Sequence, residues 1–289
     1  MFKFGFASEC HDAQQSLDLK KEESSEISLD WVPANEVFLK NAISIDILQP
    51  NDVEKFKIGS EVLSCIKGTT VSSVINSTKF DVEENICLAE RNHSDLIPSK
   101  YEGGLKLWEC THDVAGLLHQ SEVSGKVVLD LGCGLGLLGI LALKLGAESV
   151  VFQDYNADVL RCVTIANVLL NADDSQQSRC SFFCGDWASF ADLSPVCNLI
   201  VTSETIYNPA NYTKLHETIK RLLKPDGMAL IGAKSYYFGV GGSIKQFEKL
   251  VKEKNVFEVE TVWKCSQGLS LFTESQDINI TICKIKVNS

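Results

Sequence analysis

Apolar residues follow two alternating spacings from about residue 107 to the end of the chain. Short continuous apolar runs, as in residues 127–131, are typical of strands buried on both faces. Stretches with apolar residues three and four positions apart, as in residues 158–170, are typical of helices. The alternation predicts an α/β fold, in which a mostly parallel sheet carries helices on both faces. The predicted strands are residues 127–131, 149–153, 180–184, 198–202, 228–233, 257–263 and 277–286. The predicted helices are residues 107–119, 137–145, 158–170, 212–223 and 243–254.

Two connections depart from the simple alternation. The sequence Lys224-Pro-Asp-Gly227 predicts a turn that ends one helix before the fifth strand begins. The last two strands follow each other without a helix between them, so we expect one of them to run antiparallel.

The first hundred residues lack this pattern. Residues 7–36 are rich in Ser, Asp, Glu, Gln and Lys, and such a composition cannot offset the entropy of ordering, so we predict a flexible segment over residues 1–40. Short β-branched runs between residues 58 and 86, such as residues 69–75, predict small strands in an extension over residues 41–100. Pro98 and the glycine pair at 103–104 predict a loop that leads into the main domain, residues 101–289.

Composition narrows the class of protein. With 289 residues, 45% of them hydrophobic, the chain can bury a sizeable core. The net charge of −11 argues against a general nucleic-acid binder and suits a basic partner, although an acidic surface also serves solubility alone. The 11 cysteines form no Cys-x-x-Cys pair, which favours reduced thiols and no metal site. The sequence contains no run of 18 apolar residues, so we expect no membrane span, and no stretch near Met1 resembles a signal peptide.

The turn after the first strand, DLGCGLGLLG at residues 130–139, allows two kinds of cofactor. It contains the G-x-G-x-x-G spacing of a dinucleotide loop, but it also begins with an acid followed by alternate glycines. Asp154, at the end of the second strand, would accept hydrogen bonds from ribose hydroxyls in either case. Asp130 separates the two, because its charge would repel a pyrophosphate and attract the sulfonium and amino groups of S-adenosylmethionine. We therefore predict a methyl donor, and an NAD-dependent oxidoreductase is the disfavoured alternative.

The acceptor side is predicted at the end of the fourth strand, beside the donor. Methyl transfer requires the nucleophile to lie about 3 Å from the methyl carbon, with water excluded. The sequence Ser203-Glu-Thr-Ile-Tyr-Asn208 places a carboxylate, a phenol and an amide there, so Glu204, Tyr207 and Asn208 are the predicted catalytic residues. The glycine-rich, aromatic residues 234–242 after the fifth strand predict a wall of the active site.

Five motifs together resemble a known family: residues 101–111, 129–134, 152–156, 203–208 and 237–242. They are similar to those of the protein-histidine methyltransferases that modify a histidine of a large-subunit ribosomal protein. The resemblance covers roughly residue 93 to the C-terminus and implies a seven-stranded, Rossmann-like methyltransferase fold with S-adenosyl-L-methionine as cofactor. One departure is Glu204-x-x-Tyr207, where the wider class often has Asp-x-x-Tyr.

The resemblance also implies contacts with the cofactor, some of which the residues already indicate. Residues near the methionine end would be Leu107, Trp108, Glu109, Cys110 and Thr111, with Asp130, Gly132 and Gly134 at the glycine loop. Those at the ribose would be Gln153, Asp154 and Tyr155, those at the adenine Gly185, Asp186 and Trp187, and Ser203 would begin the acceptor segment.

A histidine acceptor suits the residues after the fourth strand. Neutral imidazole has one bare nitrogen and one N–H, and only the bare nitrogen can take a methyl group. Our hypothesis is that Glu204 or Asn208 accepts a hydrogen bond from the opposite N–H and so fixes the tautomer. A protein-lysine methyltransferase and a non-catalytic module that binds a ribosomal protein remain alternatives.

The resemblance further implies a basic protein partner, namely a large-subunit ribosomal protein or its complex with a chaperone. We expect no direct contact with nucleic acid or membrane, a monomer, and a location in the cytoplasm and the nucleus or nucleolus.

Overall fold

The computed structural model describes residues 32–71, 73, 94–97, 99–265 and 280–288. Within these ranges the strands are β1 (Asn35–Val37), β2 (Val53–Ile58), β3 (Glu61–Ile66), β4 (Val127–Leu131), β5 (Ser149–Asp154), β6 (Cys180–Cys184), β7 (Cys197–Ser203), β8 (Leu223–Lys234), β9 (Phe257–Cys265) and β10 (Ile280–Val287). The helices are α1 (Glu109–His119), α2 (Leu137–Lys144), α3 (Ala157–Val159, a π-helical segment Leu160–Thr164, and Ile165–Asn171), α4 (Asp174–Gln177), α5 (Trp187–Phe190), α6 (Tyr212–Leu222) and α7 (Ile244–Lys254). Short 3-10 turns lie at Leu39–Asn41, Ile45–Ile47, Pro50–Asp52 and Pro209–Asn211.

One large sheet has the strand order β1-β6-β5-β4-β7-β8-β10-β9. The strands β6, β5, β4, β7 and β8 pair in parallel. Strand β10 runs antiparallel to both β8 and β9, which confirms the expectation for the last two strands. The seven predicted strands are all present, and β1 adds an eighth at the edge, antiparallel to β6.

The centre of the sheet is buried because helices pack on both faces. Four of the five residues of β4 are buried, as a strand covered on both sides requires. Helix α2 is apolar almost all round and is buried over Leu137–Leu143. Helix α6 is amphipathic and buries Leu215, Ile219 and Leu222 against the other layer. None of the helices in the described ranges is long and apolar enough to cross a membrane.

The connections place a crevice at the carboxyl end of β4. From β4 the chain proceeds to β5 and β6 on one side, and then crosses back to pair β7 with the other side of β4. In open parallel sheets, ligands bind where the strand order reverses in this way. This edge is where the predicted cofactor and acceptor residues were placed.

Two differences from the predicted element boundaries have a local cause. Helix α1 begins at Glu109 rather than at residue 107, because Trp108 is extended (φ −96°, ψ 152°). The predicted turn at 224–227 is wrong as a separate element: β8 already begins at Leu223, which pairs with Cys197 before an irregularity in the register.

The N-terminal extension contributes a hairpin and an edge strand. Strands β2 and β3 pair antiparallel between residues 53 and 66. Val71 begins a helical turn, so the strand predicted over residues 69–75 is wrong in its described part, while residues 72, 74 and 75 lie outside the described residues. Strand β1 lies inside the segment predicted to be flexible, so order begins before residue 40. Residues 1–31 and Pro98 also lie outside the described residues.

Candidate active site at the carboxyl edge of the sheet

The glycine loop after β4 is held by hydrogen bonds from three directions. The Gly134 N–H donates to Asp154 Oδ2 (2.9 Å), and the Thr164 hydroxyl donates to the Gly134 carbonyl (2.5 Å). At the start of α2, the Gly139 N–H donates to Asp130 Oδ2 (2.8 Å). Gly134 has φ +49°, and a Cβ there would lie 3.0 Å from the Gly104 carbonyl oxygen. Only glycine fits this position without strain, and the loop is preformed for a ligand that approaches its backbone.

Asp130 is buried rather than openly charged. Burial, with a smaller contribution from Asp154, raises the pKa of its carboxyl to about 8, while the hydrogen bond from Gly139 opposes the rise. The sequence predicts a standing negative charge at this position. In the structure the Asp130 carboxyl lines the cavity, but with this pKa it is mostly protonated at neutral pH. A bound cation would lower its pKa and so favour the ionised form.

The ribose end contains one residue that faces the cavity and a neighbour that does not. Asp154 lines the cavity, and burial raises the pKa of its carboxyl to about 6. Gln153 is fully buried and does not line it. Its amide donates to the Gly185 carbonyl (2.8 Å) and accepts from Trp187 Nε1 (2.9 Å) and the Gly132 N–H (3.3 Å). The Gln153 side chain therefore fixes two walls of the cavity, and its predicted contact with the cofactor stays a prediction.

The residues predicted at the adenine lie partly on the cavity wall and partly behind it. Asp186 and Trp187 line the cavity, whereas Gly185 does not. Asp186 accepts a hydrogen bond from the Ala188 N–H (2.9 Å) and forms an ion pair with Lys214 (2.6 Å), a residue in the first turn of α6. Lys214 itself lines the cavity and was not predicted.

At the predicted methionine end, some residues around the start of α1 line the cavity and others point away from it. Trp108 and Thr111 line the cavity; the Trp108 Nε1–H donates to the Gly103 carbonyl (3.0 Å), and the Thr111 hydroxyl donates to Ser203 Oγ (3.1 Å). Glu109 and Cys110 do not line it. Glu109 forms an ion pair with Lys234 (2.9 Å), and Cys110 is fully buried, and their predicted contacts with the cofactor stay predictions.

Glu204 has protein partners at both carboxyl oxygens. Tyr237 donates its hydroxyl to Oε2 (2.5 Å), the Cys110 N–H donates to Oε1 (3.3 Å), and Lys234 Nζ lies 3.9 Å from Oε1. Burial raises the pKa of this carboxyl, although Lys234 opposes the rise. The backbone of Glu204 has φ +61°, a conformation that costs about 1–3 kcal/mol for a residue with a side chain and that occurs mainly at functional sites. The residue borders the cavity, but its carboxylate is committed to a buried network rather than open to a substrate imidazole.

Tyr207 reaches across the cavity to an acid that was not predicted. Its hydroxyl donates to Glu102 Oε2, while the Ser99 N–H donates to Glu102 Oε1 (2.8 Å). Burial raises the pKa of the Glu102 carboxyl, and Tyr207 opposes the rise. Asn208 does not line the cavity, because its side-chain oxygen accepts from the Ala210 N–H (3.0 Å) and caps a 3-10 turn. The structure therefore places Asn208 off the cavity wall, and its predicted contact with the substrate stays a prediction.

The cavity brings most of the predicted residues together. Those that line it are Leu107, Trp108, Thr111, Asp130, Gly132, Gly134, Asp154, Tyr155, Asp186, Trp187, Ser203, Glu204 and Tyr207. Further lining residues that were not assigned a role from the sequence are Ser99, Glu102, Gly103, Gly104, Lys106, Cys133, Leu135, Leu137, Leu138, Thr205, Asn211 and Lys214. For the lining residues between 99 and 106, the glycine pair 103–104 in the motif 101–111 was the signal in the sequence.

The lining suits a cationic ribonucleoside cofactor. Five acidic side chains face two lysines there: Glu102, Asp130, Asp154, Asp186 and Glu204 against Lys106 and Lys214. A sulfonium and an amino group would stabilise the ionised form of these buried carboxyl groups, whereas a pyrophosphate would oppose their ionisation. The glycine loop gives close access to its backbone, and Asp154 places a carboxyl where ribose hydroxyls can donate to it.

Comparison with known proteins agrees with this chemistry. A family model described as lysine methyltransferase matches residues 99–252. A histidine protein methyltransferase 1 homologue of Mus musculus is 40% identical over 277 residues, which cover 84% of this chain and 74% of the mouse protein. The chain belongs to the histidine protein methyltransferase 1 family.

Other members and the fold fit the same family. Histidine protein methyltransferase 1 of Saccharomyces cerevisiae is 31% identical over 249 residues, covering 64% of this chain and 65% of the yeast protein. The crystal structure of SMU.776, a methyltransferase complexed with SAH, matches with a TM-score of 0.56 and 12% identity, covering 83% of this chain and 57% of that one; it shows the fold alone. The family and the site together make this protein an S-adenosylmethionine-dependent histidine methyltransferase that acts on a protein.

Proposed function

We propose that this histidine methyltransferase acts on a basic large-subunit ribosomal protein before that protein is assembled into the ribosome. The observation that carries the proposal is the acidity of the enzyme, with a net charge of −11 and five acidic side chains around the cavity. Ribosomal proteins are strongly basic, and complementary charge speeds encounter and selects partners. The five sequence motifs that resemble enzymes with such a substrate support the same conclusion.

The bound cofactor supplies an electrophilic methyl group on a sulfonium. The glycine loop and Asp154 would hold the cofactor at the carboxyl end of β4, and the segment after β7 forms the adjoining wall. Exclusion of water and orientation of the acceptor are the main contributions that a protein makes to such a displacement.

On the acceptor side, we assign the handling of the histidine proton to Glu102 and Tyr207. The bare imidazole nitrogen uses its lone pair to form the new N–C bond, so the opposite N–H must be oriented and its proton must leave afterwards. Glu204, the residue first proposed for this step, and Glu102 each accept two hydrogen bonds, but Glu204 is buried with Lys234 Nζ 3.9 Å from Oε1, whereas Glu102 is half-buried. The hydrogen-bonded pair of Tyr207 and Glu102 lines the cavity and offers a carboxylate with a relay hydroxyl instead.

A labelling experiment tests the substrate. Purified enzyme with labelled S-adenosylmethionine is offered free large-subunit ribosomal proteins, assembled large subunits, or histones as an equally basic control. We expect methylhistidine in one free ribosomal protein, with little label in the other two samples. Methyllysine as the product would contradict the acceptor, and equal labelling of histones would contradict the ribosomal substrate.

The Gly134→Val variant separates catalysis from binding. A side chain at this position would crowd the Gly104 carbonyl, and the positive φ of Gly134 is unfavourable for valine. The variant should therefore lose cofactor binding in equilibrium titration. If it still protects the ribosomal protein from aggregation as well as the unaltered enzyme does, the non-catalytic alternative gains support.

The place of action follows from the proposed substrate. An enzyme that modifies free ribosomal proteins must meet them in the cytoplasm, or in the nucleus and nucleolus where subunits are built. Fluorescence imaging of the tagged chain tests this, and exclusion from all of these compartments would contradict it.

A further inference from the structure

Tyr236 and Phe238 form an exposed aromatic pair after β8. Phe238 is 82% exposed and Tyr236 is 47% exposed. Their ring centroids lie 5.0 Å apart at 78°, which is an edge-to-face contact. Two aromatic rings that lie side by side in solvent form a contiguous apolar patch, and such patches mark interaction sites.

The residue between the two rings anchors them to the active site. Tyr237 is 1% exposed, and its hydroxyl donates to Glu204 Oε2 (2.5 Å). Its backbone closes a tight loop: the Tyr237 N–H donates to the Gly242 carbonyl (2.8 Å), and the Gly241 N–H donates to the Tyr237 carbonyl (2.9 Å). The pair is therefore presented on a fixed loop.

The same loop packs directly on the acceptor segment. The Gly242 N–H donates to the Tyr207 carbonyl (3.0 Å), and a Cβ at Gly242 would lie 2.2 Å from that oxygen. The rings of Tyr207 and Tyr237 meet edge to face, with centroids 6.5 Å apart. Because Tyr207 and Glu204 line the cavity, the loop that carries the aromatic pair packs directly on the acceptor wall.

We propose that this aromatic pair docks the substrate polypeptide next to the target histidine by receiving one of its arginine or lysine side chains on the ring faces. The inference rests on the proposed function, since it requires a basic polypeptide to lie over the cavity mouth. Two observations favour this occupant: the loop that carries the pair packs on the acceptor segment, and the chain carries a net charge of −11. Cation–π contacts suit arginine and lysine and discriminate against uncharged partners.

Steady-state kinetics of the full chain test the docking site, with the free ribosomal protein that accepts label as the probe. We expect the double change Tyr236→Ala with Phe238→Ala to raise the KM for that protein about three- to tenfold. The kcat and the KM for S-adenosylmethionine should stay unchanged, because neither ring lines the cavity. A thermal melt checks that the variant is folded.

Matched variants make the result specific. Phe38→Ala removes an aromatic ring that is 50% exposed beside the edge strand β1, and it should leave the KM unchanged. Phe238→Tyr, which keeps a ring, should preserve the KM of the unaltered enzyme, whereas Phe238→Leu should raise it. An unchanged KM in the double variant, a fall in kcat alone, or Leu serving as well as Tyr would overturn the docking site. Failure of the unaltered enzyme to label any ribosomal protein would instead overturn the proposed function, and this inference with it.

Discussion

Glu102 and Glu204 border the same cavity, but their carboxyl groups have different partners. Glu204 accepts from Tyr237 and Cys110 in a buried network, whereas Glu102 accepts from Tyr207 and from the backbone of its own loop. Burial raises the pKa of both. A carboxylate that accepts a proton from histidine must be ionised, so turnover should fall as the pH drops below its raised pKa.

The change Glu102→Gln tests this assignment. We expect kcat to fall about 100-fold, a typical contribution of a positioned base. The acidic limb of the pH profile of kcat/KM should lose the titration of Glu102 and keep only that of the substrate imidazole, which must be neutral to accept the methyl group. Tyr207→Phe should lower kcat as well but keep the titration of Glu102. The measurement is initial rate against pH at saturating cofactor.

Glu204→Gln is the matched control, because it also replaces a carboxyl by an amide on the cavity wall. It should reduce thermal stability through loss of the pairing with Lys234 and leave the acidic limb in place. If Glu204→Gln removed a carboxyl titration from that limb while Glu102→Gln kept it, the hypothesis drawn from the sequence would be restored.

At the scale of elements, the periodicity of helices and strands explains which of the predicted site residues line the cavity. Asp154 and Gln153 are neighbours on a strand, so their side chains point to opposite faces, and only Asp154 lines the cavity. Trp108 and Thr111 are three positions apart at the start of α1 and share a face, whereas Cys110 between them turns into the core. Contiguous sequence motifs mark the place of a site but do not distinguish these directions.

The same scale shows why the central sheet was predictable and its edge was not. Strands such as β4 and β7 carry long apolar runs, which are typical of buried strands and not of exposed loops. Strand β1 has three residues, two of them exposed, and its order comes from pairing with β6 rather than from its own pattern. Glu102 and Lys214 were missed for a related reason, since a loop and a helix end meet the site only through the tertiary fold.

Asn167 joins the N-terminal hairpin to the glycine loop. This fully buried side chain on α3 accepts from the Ile66 N–H on β3 (2.9 Å) and donates to the Leu135 carbonyl (2.9 Å). We expect Asn167→Ala to weaken S-adenosylmethionine binding about tenfold, because the Leu135 carbonyl loses its partner. It should also lower the free energy of unfolding by about 1–3 kcal/mol, the usual cost of unsatisfied buried groups. Equilibrium titration and urea unfolding measure the two effects.

Asn171 supplies the control for that prediction. It binds the same hairpin through Ser64, accepting from its N–H (2.8 Å) and donating to its carbonyl (2.6 Å), but it does not reach the glycine loop. Asn171→Ala should therefore lower stability and leave cofactor affinity unchanged. Equal losses of affinity in the two variants would mean that the hairpin as a whole, rather than the Asn167 amide, supports the loop.

At the scale of the whole molecule, the acidity of the site couples cofactor binding to protons. Burial raises the pKa of Asp130 to about 8 and that of Asp154 to about 6 in the cofactor-free protein. A bound sulfonium and amino group favour the ionised carboxylates and so lower both values. Binding at pH 7 should therefore release protons, and the affinity for S-adenosylmethionine should increase as the pH rises from 6 to 8.

Calorimetry at pH 7 in two buffers of different ionisation enthalpy measures this release directly. We expect up to one proton to leave per cofactor bound, with Asp130 as its main source because its pKa lies above the working pH. Asp130→Asn should abolish most of the release and flatten the dependence of affinity on pH. S-adenosylhomocysteine, whose sulfur is uncharged, should release fewer protons than S-adenosylmethionine. If the observed enthalpy were the same in both buffers, Asp130 would be ionised before the cofactor arrives, and the fixed charge first inferred from the sequence would select the sulfonium after all.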